Sequence, residues 1–295
     1  MAKHFIKVAA SAPAFTKDSV FVIGVTEKAS KLTLVSDSVD ISSIRNLDLA
    51  KLGVKSSPDS VVKVPAPNGA FFALIGGYKN GDVDSLRYLG GTVGRTLNEF
   101  RQVVLALPIK SESDAFSLLE GYAVGHYSYD AYKSDAKKTA AQTVVLATKV
   151  KVKPATITRV EIMRAAVHDT RDLVSMPAND LYPQSFASQA SKLAKGSAVT
   201  VTILDEKKLA AGGFGGLLGV GKGSVRPPRL VKIEYKPTGA KKKIAFVGKG
   251  ITYDTGGLSL KPANSMLGMK YDMTGAATVL NAVLAIARLK LKVHA

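Results

Sequence analysis

Two lysines and two aspartates stand out between Val247 and Ala277. Lys249 follows a short apolar run, residues 244–247, that reads as a strand. Asp254 comes five residues later, and Lys261 follows the Gly256-Gly257 turn. Asp272 stands just ahead of residues 276–289, a stretch with few charges that reads as a buried helix. Amines and carboxylates gathered past the end of a strand are equipped to hold a cation or to stabilise charge on a substrate. In α/β proteins ligand sites collect at the carboxyl ends of strands, which is where Lys249 falls. The sequence has no cysteine, so any cation here is held by oxygen or nitrogen. The glycines around Asp254 permit the close main-chain approach that a crowded site needs.

Each of these residues also has a plainer reading. A lysine after a strand is usually solvated, Asp272 could cap the helix that follows it, and Lys261-Pro262 alone is a turn. A phosphate loop would need a Gly-Lys pair followed by Ser or Thr, whereas Lys249 is followed by Gly250. Gly219 to Gly223 is also glycine-rich, but Pro227-Pro228 follows soon after it, where a helix would have to begin. His4, His126, His168 and His294 read as packing or surface residues, and Met163 and Met176 as core.

The elements that would position the cluster alternate in type. Residues 5–9, 20–25, 32–35, 71–75, 103–107 and 143–147 are apolar or β-branched runs predicted as strands. Residues 85–97 and 113–134 are predicted as helices, the second behind a capping region at Ser111. Residues 148–154, basic and proline-containing, read as a linker. Beyond them, residues 158–173 and 183–193 are predicted helices, the latter with Pro183 in its first turn. Residues 199–204 and 230–235 are predicted strands around the loop Gly212 to Gly216. Strands separated by helices give an α/β class, with domains expected at 1–150 and 151–295. There is no internal repeat and no low-complexity tract.

Composition sets further bounds. The chain has 295 residues, 46% of them hydrophobic, enough to bury a core. No apolar run approaches the roughly 18 residues that span a bilayer. The start, Met1 to Phe5, lacks the apolar block of a signal peptide, and a soluble, cytoplasmic protein is expected. Lysine and arginine number 41 against 23 acidic residues, a formal charge of +18 that attracts polyanions. Basic clusters at Lys137-Lys138, Lys207-Lys208 and Lys241-Lys242-Lys243 are not interleaved with aromatics. DNA is therefore expected as an accessory partner, with a basic nucleic-acid-binding protein as the alternative reading of the function.

The run Val247-Gly248-Lys249-Gly250-Ile251-Thr252-Tyr253-Asp254-Thr255-Gly256-Gly257, continuing through Lys261-Pro262 and Met269-Lys270-Tyr271-Asp272-Met273, resembles the metal-binding core of the leucyl aminopeptidases, the cytosol aminopeptidase family. The stretch Arg171 to Pro183 is similar to that family's entry into its catalytic domain, so the resemblance is close from about 158 to 295. Before that it extends only to architecture. It implies an N-terminal macro-like α/β domain, then the first part of an α/β metallopeptidase catalytic domain with a mixed, largely parallel sheet.

The resemblance implies roles residue by residue. Lys249 would bind one metal through its amine, Asp254 would bridge two metals, and Asp272 would be a further ligand of the metal that Lys249 binds. Lys261 would polarise the substrate carbonyl and stabilise the tetrahedral intermediate. Met269 would line the pocket for the N-terminal side chain. Two divalent ions are implied, zinc or manganese, with magnesium or cobalt as alternatives. Such ions acidify and orient a water, and Lys249 would have to lose its proton to bind one. The implied partners are peptides with a free N-terminus and, for a full-length chain, a homo-hexamer. The family also has an Asn-Thr-Asp-Ala-Glu-Gly-Arg run, with two more acidic ligands and an arginine that holds a bicarbonate base. No substitute for it is found up to Ala295. Two expectations follow: a longer parent that is an aminopeptidase, or a chain ending here without peptidase activity.

Overall fold

The computed structural model describes residues 4–134 and 141–295; the Lys137-Lys138 cluster and the first three residues lie outside the described residues. Two compact units emerge, Met1–Arg164 and Ala165–Ala295.

The first unit is built on β1 (His4–Ala9), β2 (Ser19–Lys28), β3 (Lys31–Val35), β4 (Val61–Pro65), β5 (Phe71–Ile75), α1 (Val83–Thr96), β6 (Gln102–Leu105), α2 (Glu112–Gly125) and β7 (Gln142–Ala147). Its sheet runs β1-β7-β6-β2-β5-β4, with β3 paired to β2. The contacts from β1 through β5 are parallel, while β4 and β3 attach antiparallel. The central strand β2 is buried without polar interruption from Val20 to Val25, where both of its faces are covered. Val20 and Val22 face one core with Leu86, Leu89, Leu118 and Tyr122. Phe21 and Ile23 face another with Ile41, Ile44 and Val54.

The helices α1 and α2 pack main chain to main chain. A Cβ on Gly90 would lie 2.2 Å from Leu118 O, and one on Gly121 would lie 1.9 Å from Arg87 O. Ser111 caps α2 as predicted, its Oγ accepting from the Asp114 amide; α1 begins two residues earlier than predicted, where the Asp82 carboxylate accepts from the amides of Asp84 and Ser85. Under them, Gln142 Nε2 donates to the carbonyls of Leu97 (2.9 Å) and Phe100 (2.6 Å), while Tyr122 donates to its Oε1. A buried amide is thereby satisfied at both ends. The helix predicted to reach Ser134 stops at Gly125. His126 caps it, and Ser128 and Lys133 instead bond the Asp130 carboxylate in a local turn.

The chain continues through α3 (Pro154–Ser175), which runs across the division between the units and begins inside the expected linker. The second unit then contains α4 (Pro183–Ala194), β8 (Val199–Leu204), α5 (Glu206–Ala211), α6 (Gly215–Gly221), β9 (Leu230–Tyr235), β10 (Lys242–Lys243), α7 (Ala263–Met266), α8 (Thr274–Arg288) and β11 (Val293–His294). Part of the stretch predicted as a glycine loop is thus the short helix α6. β8 and β9 form an antiparallel pair, β10 and β11 a parallel one. Tyr235 and Ala295 exchange main-chain hydrogen bonds of 2.8 and 3.0 Å, joining the two pairs edge to edge.

The apolar face of α8 forms the core of this unit. Ala277, Leu280 and Leu284 pack with Leu173, Leu181, Phe186 and Ala190. Asn281 Nδ2 donates to Thr170 Oγ1 at 3.1 Å, tying α8 to α3. The strand predicted at 244–247 does not form, since β11 supplies a ladder only to Lys242 and Lys243, plus one bond from Ile244 N to His294 O. Val247 is 96% exposed. No helix of the described residues is long and apolar enough to cross a membrane.

Candidate metal and substrate site

The main chain brings Lys249 and Asp272 together before their side chains meet. Ala276, in the first turn of α8, donates its amide to Lys249 O at 2.8 Å. Gly248 and Gly275 make this possible. A Cβ on Gly248 would lie 2.5 Å from Gly275 O, and one on Gly275 would lie 2.9 Å from Lys249 N. The segment past β10 is therefore pressed onto the start of α8, and Asp272 sits two residues before that start.

Lys249 Nζ lies 2.8 Å from Asp272 Oδ1. The pairing, with Asp254 adding to it, pushes the Lys249 ammonium above its ordinary range, which favours the protonated amine. Asp272 Oδ2 is buried and has no hydrogen-bond partner among the described residues. Asp272 does not cap α8, whose N-terminus has no side-chain cap. Its carboxylate is directed to Lys249, with one oxygen left over. A buried carboxylate oxygen without a donor is costly and suits a cation.

Asp254 is held by the glycine turn. Gly256 donates its amide to Asp254 Oδ1 at 2.8 Å, and Gly256 and Gly257 have φ of +87° and +67°. A side chain at Gly256 would also lie 2.3 Å from Ser259 O, so this tight turn requires glycine. Lys261 Nζ lies 3.4 Å from the other oxygen, Asp254 Oδ2. That amide, then Lys261 and Lys249, hold the Asp254 carboxyl below the usual carboxylate range. Lys261 is fixed at its main chain, N to Thr255 O at 2.9 Å. Tyr253 OH reaches Met266 O in α7 at 3.3 Å, bracing the far side of the loop.

The four side chains form an alternating series, Asp272, Lys249, Asp254, Lys261. Their charges sum to zero while both lysines are protonated. Asp254 and Lys261 line an open cleft of about 1830 Å³, with Phe186, Phe214, Tyr253 and Val279 among its other walls. Met269 lies on a single 3-10 turn, Met269–Tyr271, directly before Asp272. It is not among the residues lining the cleft. His294 Nε2 pairs with Glu234 at 2.9 Å.

The donor set fits a divalent ion in chemistry but is short for two. An amine and two carboxylates are hard ligands of the kind zinc and manganese accept. Two carboxylates balance the charge of one dication, not of a pair. Among the described residues, no group of three or more His, Cys, Asp or Glu could hold a metal.

Sequence reasoning identified the four charged residues but missed what sets them. The Gly248–Gly275 contact, the Tyr253 brace and the unpartnered oxygen of Asp272 all depend on which segments meet. The glycine spacing was the only signal of the first, and the other two had none.

Residues 168–295 match the catalytic domain of the cytosol aminopeptidase family. A probable cytosol aminopeptidase of Leifsonia xyli subsp. xyli is 44% identical over 251 residues, 84% of this chain and 51% of the relative. One of Streptomyces coelicolor is 39% identical over 317 residues, 97% of this chain and 61% of the relative. Among solved structures, the bottromycin maturation enzyme BotP in complex with Mn superposes with a TM-score of 0.76 at 28% identity. That likeness covers 94% of this chain and 58% of BotP. The cytosol aminopeptidase from Coxiella burnetii gives 0.68 at 26% identity, covering 83% and 51%. The chain spans about half the length of the curated relatives it matches.

Proposed function

We propose, from the chain's membership of the cytosol aminopeptidase family over the part it spans, that the whole protein releases N-terminal amino acids from peptides with the help of divalent metal ions. The observation that carries this reading is the 2.8 Å pairing of Lys249 with Asp272, whose second oxygen is buried without a partner among the described residues. Lys249, Asp254 and Asp272 would hold the metal, with Asp254 shared between two ions. When bound, divalent ions acidify a water and offset negative charge on the attacked carbonyl.

The rest of the chemistry belongs to the chain's own residues. Lys249 would have to give up its proton to become a ligand, at a cost raised by the carboxylates that hold that proton in place. Lys261 lines the cleft, where its side chain would face the oxygen on which charge develops. The Gly256 amide fixes Asp254 through one oxygen and leaves the other toward Lys261. Met269 lies off the cleft walls, so its role beside the first side chain of the peptide rests on the resemblance alone; apolar first residues such as leucine are the expected substrates.

The finer points of the reading are zinc or manganese as the ions, with magnesium or cobalt as substitutes, and bicarbonate only where the site is complete. A homo-hexamer in the cytoplasm is the proposed assembly of the whole protein. An N-terminal macro-like domain followed by the start of the catalytic domain is the proposed organisation, with DNA as an accessory partner for the basic surface. The test is hydrolysis of leucine p-nitroanilide by the whole protein. Lys261→Ala and Asp254→Ala are expected to lower kcat by a hundredfold or more, on the order of 3 kcal/mol. Parental rates in both variants would overturn the roles.

A further inference from the structure

We propose that Lys270 is a positioning residue: its ammonium fastens the turn carrying Asp272 to the carboxyl end of α3 and so keeps Asp272 on Lys249. The consequence drawn for metal affinity rests on the function proposed above; the fastening itself does not.

Lys270 Nζ donates to Ser175 O at 3.2 Å. Ser175 is the last residue of α3, a helix of 22 residues, and the last carbonyls of any helix lack partners within it. A lysine ammonium satisfies such a carbonyl and sits at the negative end of the helix dipole. The contact joins positions 95 residues apart. Lys270 is only half-buried, so its charge remains solvated while its tip is directed.

Among the described contacts, two anchors flank Asp272 on this turn, ahead of the Gly248–Gly275 contact at the start of α8. Lys270 is the first. Met273, with no exposed surface and packed in the core under α8, is the second. Asp272 lies between them. Its amide closes the 3-10 turn on Met269 O at 3.3 Å, and its side chain reaches only Lys249 among the described contacts. Thr274 Oγ1 donates to Tyr271 O at 2.6 Å, a bond internal to the turn that fixes its shape but not its place. Without the Lys270 ammonium, Met273 still holds the chain to the core while the front of the turn is free to drift. The loss would therefore fall on the aim of Asp272 rather than on folding.

The experiment compares the chain with Lys270→Gln and Lys270→Arg. The first reading, without metal, is the carboxyl ¹³C resonance of Asp272 by NMR; the second is Mn²⁺ affinity by water-proton relaxation. Lys270→Gln is expected to move or broaden the carboxyl line and to weaken Mn²⁺ binding roughly ten- to hundredfold, the range for groups that orient metal ligands. The melting temperature should stay at the parental value. Lys270→Arg, which keeps a donor for Ser175 O, should restore both. A parental carboxyl line in Lys270→Gln would overturn the proposal, and so would a displaced line that arginine fails to restore. If the parental chain takes up no Mn²⁺, the metal reading falls, while the carboxyl line still decides the role of Lys270.

Discussion

Gly248 and Gly275 touch main chain to main chain: a Cβ placed on the first would lie 2.5 Å from the carbonyl oxygen of the second. This contact sets the site's dimensions, because Lys249 and Asp272 are the nearby side chains it brings within 2.8 Å. Gly248→Ala must force the two segments apart. Overpacking of this kind costs about 1–3 kcal/mol, and here it also widens the Lys249–Asp272 pair. The expected result is a lower melting temperature together with weaker Mn²⁺ binding by calorimetry. A variant that keeps parental Mn²⁺ affinity would show that the contact does not govern the site.

Asp272→Asn tests the electrostatics of the pair. The carboxylate pushes the Lys249 ammonium above its ordinary value of 10.5. A group raised on folding contributes stability below its unfolded value and loses it as pH climbs through the folded one. With asparagine the Lys249 value should move down, read by NMR titration of its Cε, and the effect on global stability should be small because the amine is exposed. An unchanged or higher value would contradict the assignment.

Tyr78 gives the first unit a sensitivity to alkali. Burial, with Asp37 and Asp114 nearby, pushes its hydroxyl from 10.0 up to about 12, and that hydroxyl donates to Pro108 O at 2.8 Å. The unfolded chain releases this proton first, so stability is full below pH 10 and falls as pH rises toward 12. Tyr78→Phe should cost about 1 kcal/mol at neutral pH through the lost hydrogen bond. It should also flatten the alkaline decline in melting temperature. An alkaline decline identical to the parent's would assign it to other groups.

Much of the fold was legible because local pattern and tertiary context agree. The apolar run around Phe21 announced a strand, which the structure covers on both faces, and Ser111 caps its helix where the sequence placed a capping region. Residues 244–247 were misread for the opposite reason. Their apolar pattern suits a strand, but a strand needs a neighbour, and β11 serves only Lys242 and Lys243. The glycines from 215 to 221 disfavour a helix, yet α6 forms there between Phe214 and Pro228, and a Cβ on Gly221 would meet that proline at 2.8 Å. At the site, residue types and the resemblance pointed to Lys249, Asp254, Lys261 and Asp272. The geometry that matters was not legible, since it arises where segments distant in sequence meet, as when Lys270 reaches Ser175.

Convergence of Lys249, Asp254 and Asp272 on divalent cations can be read from anomalous diffraction by crystals of the whole protein grown with Mn²⁺. A manganese peak is expected within bonding distance of Asp272 Oδ2, with the Lys249 amine and an Asp254 oxygen in the same coordination shell. A fully occupied peak elsewhere, with the Lys249–Asp272 ion pair intact and no metal beside it, would contradict it.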